Sequence, residues 1–417
     1  MILYLLKYYA ESKLFAVLSE RHIRNIQIKR FRKIFEWARK HSEFYRIVYT
    51  EAGVMDLKIE TEEDILKVPV VDKQMMRKST LDARTTRIID EKLVKSLTSG
   101  SNGIPLDIYA TKQEHFTGYV RTFITLKGYN PFKPFILIGT EELKEKAEKE
   151  SFLVFVQRYF RLFRREIISV HNPPEIILER LRNRRIGVLS TTPSCLKILV
   201  QTAKRRNQKF NVKRVVLSGE KIDENDRKNF QYYFQSKIID VYGCVEHPSL
   251  AWTKPNGRQF RYFANAVMFE HLDDEEEPHN QSKELVLTNF INKTMPFVRY
   301  KTGDRVKTQS AYKLLGDVEG RVDDVIDLGN GKKLFMYQMD AFTEIEDIFQ
   351  FRIVQNKEKH LIFQVVGSDD CNKTILKENI QKCWNKYFPE YSIEIELMSE
   401  LAINPISGKF KRMEVQC

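Results

Sequence analysis

An α/β fold with more than one domain is predicted by three observations. From about residue 90 onward, short runs rich in β-branched residues alternate with polar stretches of helical period. The chain has 417 residues, 42% of them apolar, which suffices for a large core and a second domain. It shows no internal repeat and no low-complexity segment.

The elements follow in order. Ile28, Phe31, Ile34, Phe35 and Ala38 recur at helical spacing, with Arg24, Lys29, Arg30, Arg32, Lys33, Arg39 and Lys40 between them. The plain reading is a surface helix with a solvated basic face. The sharper one is docking to acidic lipid or nucleic acid, and no zinc-finger or RNA-binding signature supports the latter. Residues 1–6 are apolar, but Lys7, Glu11 and Lys13 make the opening too charged and too short for a membrane span, and no signal-peptide cleavage pattern follows.

Residues 92–97, 135–138, 186–189, 215–217 and 238–241 read as strands, and 174–181 as a helix between them. Residues 284–288 and 297–300 suggest a more antiparallel region, with the acidic run 273–277 as a hairpin loop before it. Beyond Gly320, strands at 361–366 and 392–397 flank a helix at 375–387. The expected division is a large domain at 1–320 and a small one at 321–417.

The charge sum is +13, which favours anionic partners. Five scattered cysteines without a Cys-x-x-Cys pair argue against a disulfide framework and a cysteine-rich zinc module, and fit a reducing cytoplasm.

The clearest local signal is Thr98-Ser99-Gly100-Ser101-Asn102-Gly103, which follows a β-like run. Two glycines permit backbone angles that let successive amides point inward as an anion nest, and the hydroxyls and amide add donors. This suits a polyphosphate, although no lysine follows Gly103 as it would in the common nucleotidase loop. Further along come Ser218-Gly219-Glu220, Tyr242-Gly243-Cys244-Val245-Glu246, the stretch 295–304 ending in Gly303-Asp304, the stretch 320–326, and 407–412 near the end.

In this order and spacing the motifs resemble the adenylate-forming superfamily of acyl- and aryl-coenzyme A ligases, adenylation domains and luciferases. They look most like the phenylacetate–coenzyme A ligase family in its capsule-biosynthesis-type branch. The resemblance runs from about residue 35 to the end. It implies a large N-terminal adenylate-forming domain of mixed sheets with helices, and a small mobile α+β C-terminal domain.

The implied reaction has two half-steps. An aromatic or small carboxylic acid attacks the α-phosphate of ATP to give acyl-AMP and pyrophosphate. An acceptor, which is coenzyme A or an amine, hydroxyl or carrier protein, then displaces AMP.

The resemblance assigns residues to these steps. The 98–103 loop holds phosphates. Ser218, Gly219, Glu220, Tyr242, Gly243 and Cys244 line the adenine side. Asp304 accepts the ribose hydroxyls, and Arg321 contacts ribose and phosphate. Glu246 is the Mg2+ ligand, Asp323 the hinge and Lys409 the catalytic lysine. Thr192, Pro193, Cys244, Val245 and His247 border the acyl pocket, His247 as a pocket wall or a surface residue.

Two departures stand out: Leu106 replaces a common lysine, and Asn102 a more usual threonine. No zinc and no nucleic acid are expected, while peripheral membrane contact and a homodimer stay open. The competing reading is a catalytically inactive basic binding protein on the same fold.

Overall fold

The computed structural model of the protein describes residues 2–86, 92–97, 106–126, 129–140, 165–244, 246–273, 282–307, 314–322, 325–329, 332–345, 347–368, 371–403 and 410–416. The chain opens with α1 (Ile2–Val17), α2 (Glu20–His41), α3 (Glu43–Glu51), α4 (Glu62–Lys67), α5 (Lys73–Lys78) and α6 (Leu81–Arg84). Then come β1 (Leu93–Leu97), β2 (Asp107–Thr111), α7 (Lys112–Thr125), β3 (Phe135–Gly139), β4 (Arg165–Ser169), α8 (Pro174–Leu181), β5 (Val188–Thr191) and α9 (Pro193–Arg205). Next are β6 (Arg214–Ser218), α10 (Glu224–Phe234), β7 (Lys237–Tyr242), β8 (Ala251–Thr253), β9 (Phe260–Tyr262), β10 (Val267–Leu272), β11 (Ser282–Asn289), β12 (Tyr300–Lys307) and β13 (Leu314–Arg321). The last stretch holds β14 (Val325–Gly329), β15 (Lys332–Phe335), a 3-10 helix (Met336–Glu344), β16 (Ile348–Gln355), β17 (Leu361–Gly367), α11 (Lys373–Tyr387), β18 (Glu394–Leu397) and β19 (Met413–Val415).

Packing divides the chain into two units, Met1–Tyr129 with Ile239–Val318, and Asn130–Ile238 with Glu319–Cys417. In the first unit, α2 buries Ile23, Gln27, Phe31, Ile34 and Ala38, a spacing of three and four residues that forms one helical stripe. Gln27 is held in this apolar face because its side-chain amide donates to the Ala264 and Val267 carbonyls, 3.0 Å each. Several of the arginines expected on a solvated face bind backbone instead: Arg32 reaches the Ile59 carbonyl at 2.6 Å, and Arg39 the Met55 carbonyl. The strands run β10-β11-β12-β13-β9-β8-β7, with β10, β11 and β12 antiparallel. The pair β10–β11 brackets the acidic run, of which residues 274–277 lie outside the described residues.

The expected strand at 297–300 is not formed. β12 begins only at Tyr300, because Arg299 sits in the left-handed region at φ 48°. Its buried guanidinium holds the chain there, bonded to Glu270 at 2.8 and 2.9 Å and to the Leu66 and Val68 carbonyls. The apolar run reads as a strand because Phe297 and Val298 are buried, although they lie in a turn.

In the second unit β6-β5-β3-β4 are parallel, joined through α8 and α9 in the crossover pattern expected from the alternating texture. The core between sheet and helices includes Ile136, Ile168, Leu189, Leu217, Leu196 and Phe230. The segment that contains the expected small domain has its own core, with Trp384, Phe342, Phe351 and Phe363 packed over β18-β17-β16-β19. Trp384 is fully buried and its indole N–H donates to the Tyr391 carbonyl at 2.7 Å.

Candidate active site

The predicted site residues fall into two clusters, one in each unit. In the first unit, Tyr242 ends β7 and Asp304 lies on β12. Register shows how Asp304 is presented: Glu284 faces Arg305, but Val286 faces Lys301, so the single residue Leu285 opposes residues 302–304. This is a β-bulge. Gly303 makes it, at φ +74°, inside the strand. The Thr302 hydroxyl pins the bulge by donating to the Leu285 carbonyl at 3.0 Å and accepting from the Asp304 amide at 3.1 Å.

The Tyr242 hydroxyl donates to Asp304 Oδ2 at 2.6 Å. Burial, then the neighbouring Asp304 and Cys244, push the Tyr242 phenol well above its usual range, so it stays a donor. An ionised carboxylate offers about four acceptor positions, and Tyr242 takes one of Asp304's.

The turn after β7 is tight. Cys244 and His247 exchange backbone hydrogen bonds of 3.3 and 3.1 Å. A Cβ on Gly243 would fall 2.6 Å from the Ser249 amide nitrogen, so only glycine fits. Glu246 Oε1 accepts the Tyr300 hydroxyl at 3.0 Å. Burial, then Glu246 and Asp304, raise the Cys244 thiol far above its usual range, so it stays protonated. The donor chemistry at Glu246 suits magnesium, which takes one or two protein carboxylates and keeps water and phosphate oxygens for the rest.

His247 is buried at 4% exposure, so it is not the surface residue that was one of its two expected roles. Its Nδ1 lies 2.8 Å from the Asn289 side-chain nitrogen. The orientation of that amide is fixed, because Asn289 Oδ1 already accepts the Ile291 and Asn292 amides at 2.7 and 3.0 Å. Asn289 therefore donates, His247 Nδ1 accepts, and the ring proton sits on Nε2. Nε2 is buried without a hydrogen-bond partner among the described residues. Burial and then Arg121 hold the ring far below its usual pKa, hence neutral. Arg121, also buried, clamps the following turn through the Pro248 and Ser249 carbonyls at 2.8 and 3.1 Å.

In the second unit, Thr192 caps α9 by accepting the Cys195 amide at 3.4 Å, and Pro193 takes the first helical position. Ser218 ends β6, and Gly219 turns the chain at φ +89°. Glu220, expected to face a nucleotide, is occupied by protein groups. It accepts the Ser194 amide and hydroxyl at 2.8 Å each, and the Phe410 amide at 2.9 Å. Arg412 lies 3.5 Å from Asp223, the cap of α10. Arg321 closes β13 and is partly buried. Thr98, Ser99, Gly100, Ser101, Asn102, Gly103, Val245, Asp323 and Lys409 lie outside the described residues.

Tyr300, Asn289 and Arg121 brace the first cluster, and Ser194 the second, without having been assigned roles from sequence. Tyr300 and Ser194 sit inside stretches already singled out. Nothing local marks Asn289 or Arg121, which act across 42 and 127 residues of chain.

No family model matches the chain. It is 21% identical over 412 residues to Protein CapK of Staphylococcus aureus, covering 94% of this chain and 88% of that protein. Among solved structures it is similar to 2-hydroxyisobutyryl-CoA ligase in the postadenylation state in complex with R3-HIB-AMP, with TM-score 0.76, 16% identity and coverage of 95% and 90% of the two chains. It is also similar to the amide bond synthetase McbA from Marinactinospora thermotolerans, with TM-score 0.56, 13% identity and coverage of 94% and 93%. The chain thus has the fold of the adenylate-forming acyl- and aryl-CoA ligases, as the motif order implied.

Proposed function

We propose that this protein is an ATP-dependent, AMP-forming ligase that activates a carboxylic acid and hands the acyl group to an acceptor. The observation that carries the reading is the bulge on β12, which sets the Asp304 carboxylate against the Tyr242 hydroxyl at 2.6 Å on a fold shared with acyl-AMP-forming enzymes. A carboxylate, which can accept from two donors at once, beside a buried aromatic ring fits a ribose diol and an adenine face.

In the first half-step a carboxylate oxygen of the acid bonds to the α-phosphorus of ATP and pyrophosphate leaves with the electrons of the broken P–O bond. Two anions meet as a third departs, so the barrier is electrostatic. Lys409 is assigned to the repulsion between acid and α-phosphate, and the 98–103 loop to the outgoing phosphates. Glu246, steadied by Tyr300, would hold Mg2+, which offsets phosphate charge. In the second half-step the acceptor's nucleophilic atom attacks the acyl carbon, AMP leaves, and the acceptor loses its proton.

The acid belongs to a class that carries a hydrogen-bond acceptor close to its carboxyl group. The Nε2–H donor of His247, one residue beyond Glu246 and buried without a partner among the described residues, supports this, since a plain hydrocarbon would offer it no acceptor. Likeness to an amide bond synthetase supports an amine as the acceptor beside the thiol of coenzyme A. Pyrophosphate release is measured with ATP, Mg2+ and a panel of acids, aromatic acids first and hydroxy- or amino-substituted acids beside their unsubstituted partners. Product masses are then compared with and without coenzyme A or amines. Absence of acid-dependent pyrophosphate across the panel contradicts the proposal.

A further inference from the structure

Helix α1 buries Tyr8, Ser12 and Phe15 on its inward face, which polar contacts also fasten. The Tyr8 hydroxyl accepts from Arg121 at 2.9 Å, the Ser12 hydroxyl accepts the Asn265 amide at 2.9 Å, and Glu11 pairs with Arg30. Its outward face is apolar. Leu3, Leu6, Ala10, Leu14 and Val17, spaced three or four apart, form one stripe along the helix. Leu3 is 81%, Leu6 60%, Leu14 53% and Val17 80% exposed. On α7, which packs against α1, exposed Phe123 lies 6.3 Å from Tyr9 and widens the apolar surface. So contiguous a patch on a solvated surface marks an interaction face.

The charges around the stripe select what covers it. Lys7, exposed, and Lys13, half-buried with its ammonium 5.2 Å from the Tyr9 ring centroid, border it, about 60° to either side at the α-helical repeat. Glu11 is the only acidic residue of the helix, and it is turned inward and paired. The stripe is thus apolar with a cationic border, on a chain of net charge +13. Two copies meeting face to face through a two-fold axis would set lysine borders against each other with no carboxylate on the stripe to offset them. A lipid surface instead takes leucines among its acyl chains and the two ammonium groups at its phosphates. With 16 residues, α1 is too short to span a bilayer.

We propose that α1 lies flat on an anionic membrane surface, leucine stripe inward, and tethers the enzyme there. The inference is independent of the acid that the protein activates. It is tested by flotation of the full chain with vesicles of phosphatidylcholine alone and of phosphatidylcholine with about one-third phosphatidylglycerol. Wild type is expected to float with the anionic vesicles, to stay behind with the neutral ones, and to be released by rising salt. The variants L3Q/L6Q/L14Q and K7E change only exposed side chains, so their thermal unfolding should match wild type. Each is expected to bind anionic vesicles about tenfold or more weakly. The proposal is overturned if wild type ignores anionic vesicles, if the glutamine variant floats as well as wild type, or if light scattering shows a dimer that the glutamine variant splits while vesicles capture nothing.

Discussion

The Phe410 amide donates to Glu220 at 2.9 Å, and the same carboxylate holds the first turn of α9 through the Ser194 amide and hydroxyl. Phe410 follows Lys409 in the chain, so the described residue next to the proposed catalytic cation is bonded to the turn after β6, and Arg412 beyond it lies 3.5 Å from Asp223. Glu220 was expected to face a nucleotide. Its observed partners give it a positioning role.

Glu220→Ala therefore has a specific expected outcome. The methyl group accepts nothing, so the Ser194 amide, the Ser194 hydroxyl and the Phe410 amide all lose their partner. Stability should fall by about 1–3 kcal/mol, the cost of an unsatisfied polar group. Hydrogen exchange should speed up at the Phe410 amide, and pyrophosphate release should slow while the KM for the acid changes little. An unchanged exchange rate at Phe410 contradicts the positioning role.

Removing the Tyr242 hydroxyl tests the bulge. Tyr242→Phe leaves Asp304 without its 2.6 Å donor, and the expected effect is a rise in KM for ATP of about five- to tenfold, with a smaller change in kcat. Ala in place of Gly303 should be worse. The left-handed backbone at that position is strained for any side chain, and the bulge that presents Asp304 depends on it. Initial rates against ATP concentration distinguish the two.

His247 makes stability depend on pH. Its folded pKa is depressed by burial and by Arg121, whereas in the unfolded chain it returns to about 6.5. Below that value the unfolded state binds a proton that the folded state refuses. The contribution is thus complete above about pH 6.5 and is lost as pH falls, at up to about 1.4 kcal/mol per pH unit. Chemical denaturation of wild type and His247→Gln at several pH values should show a steeper acid-side slope for wild type. Nitrogen NMR should find one neutral tautomer, protonated at Nε2, throughout pH 6–8.

Much of the architecture was legible because it rests on local patterns. The strands near 135–138 and 215–217 are short β-branched runs covered on both faces, and α8 begins at the proline that marks its first turn. The failure at 297–300 has a physical cause. Burial of Phe297 and Val298 looks the same from sequence in a strand and in a turn, and the distant partners of Arg299, Glu270 and the Leu66 and Val68 carbonyls, decide it. The site was legible as a series of motifs but not as a network. Asp304 and Tyr242 were both assigned, yet their mutual bond and the bulge beneath it depend on register. The role of α1 was missed because its composition, apolar with scattered charge, does not say which face the fold turns outward.

Acid-dependent exchange of labelled pyrophosphate into ATP, measured for wild type and Lys409→Ala side by side, tests the central claim most directly. The expected result is exchange that needs both the acid and Mg2+, reduced by about two to three powers of ten in the variant while thermal unfolding stays unchanged. Equal exchange in the two proteins would remove Lys409 from the reaction, and no exchange in wild type with any acid of the panel would contradict the ligase reading itself.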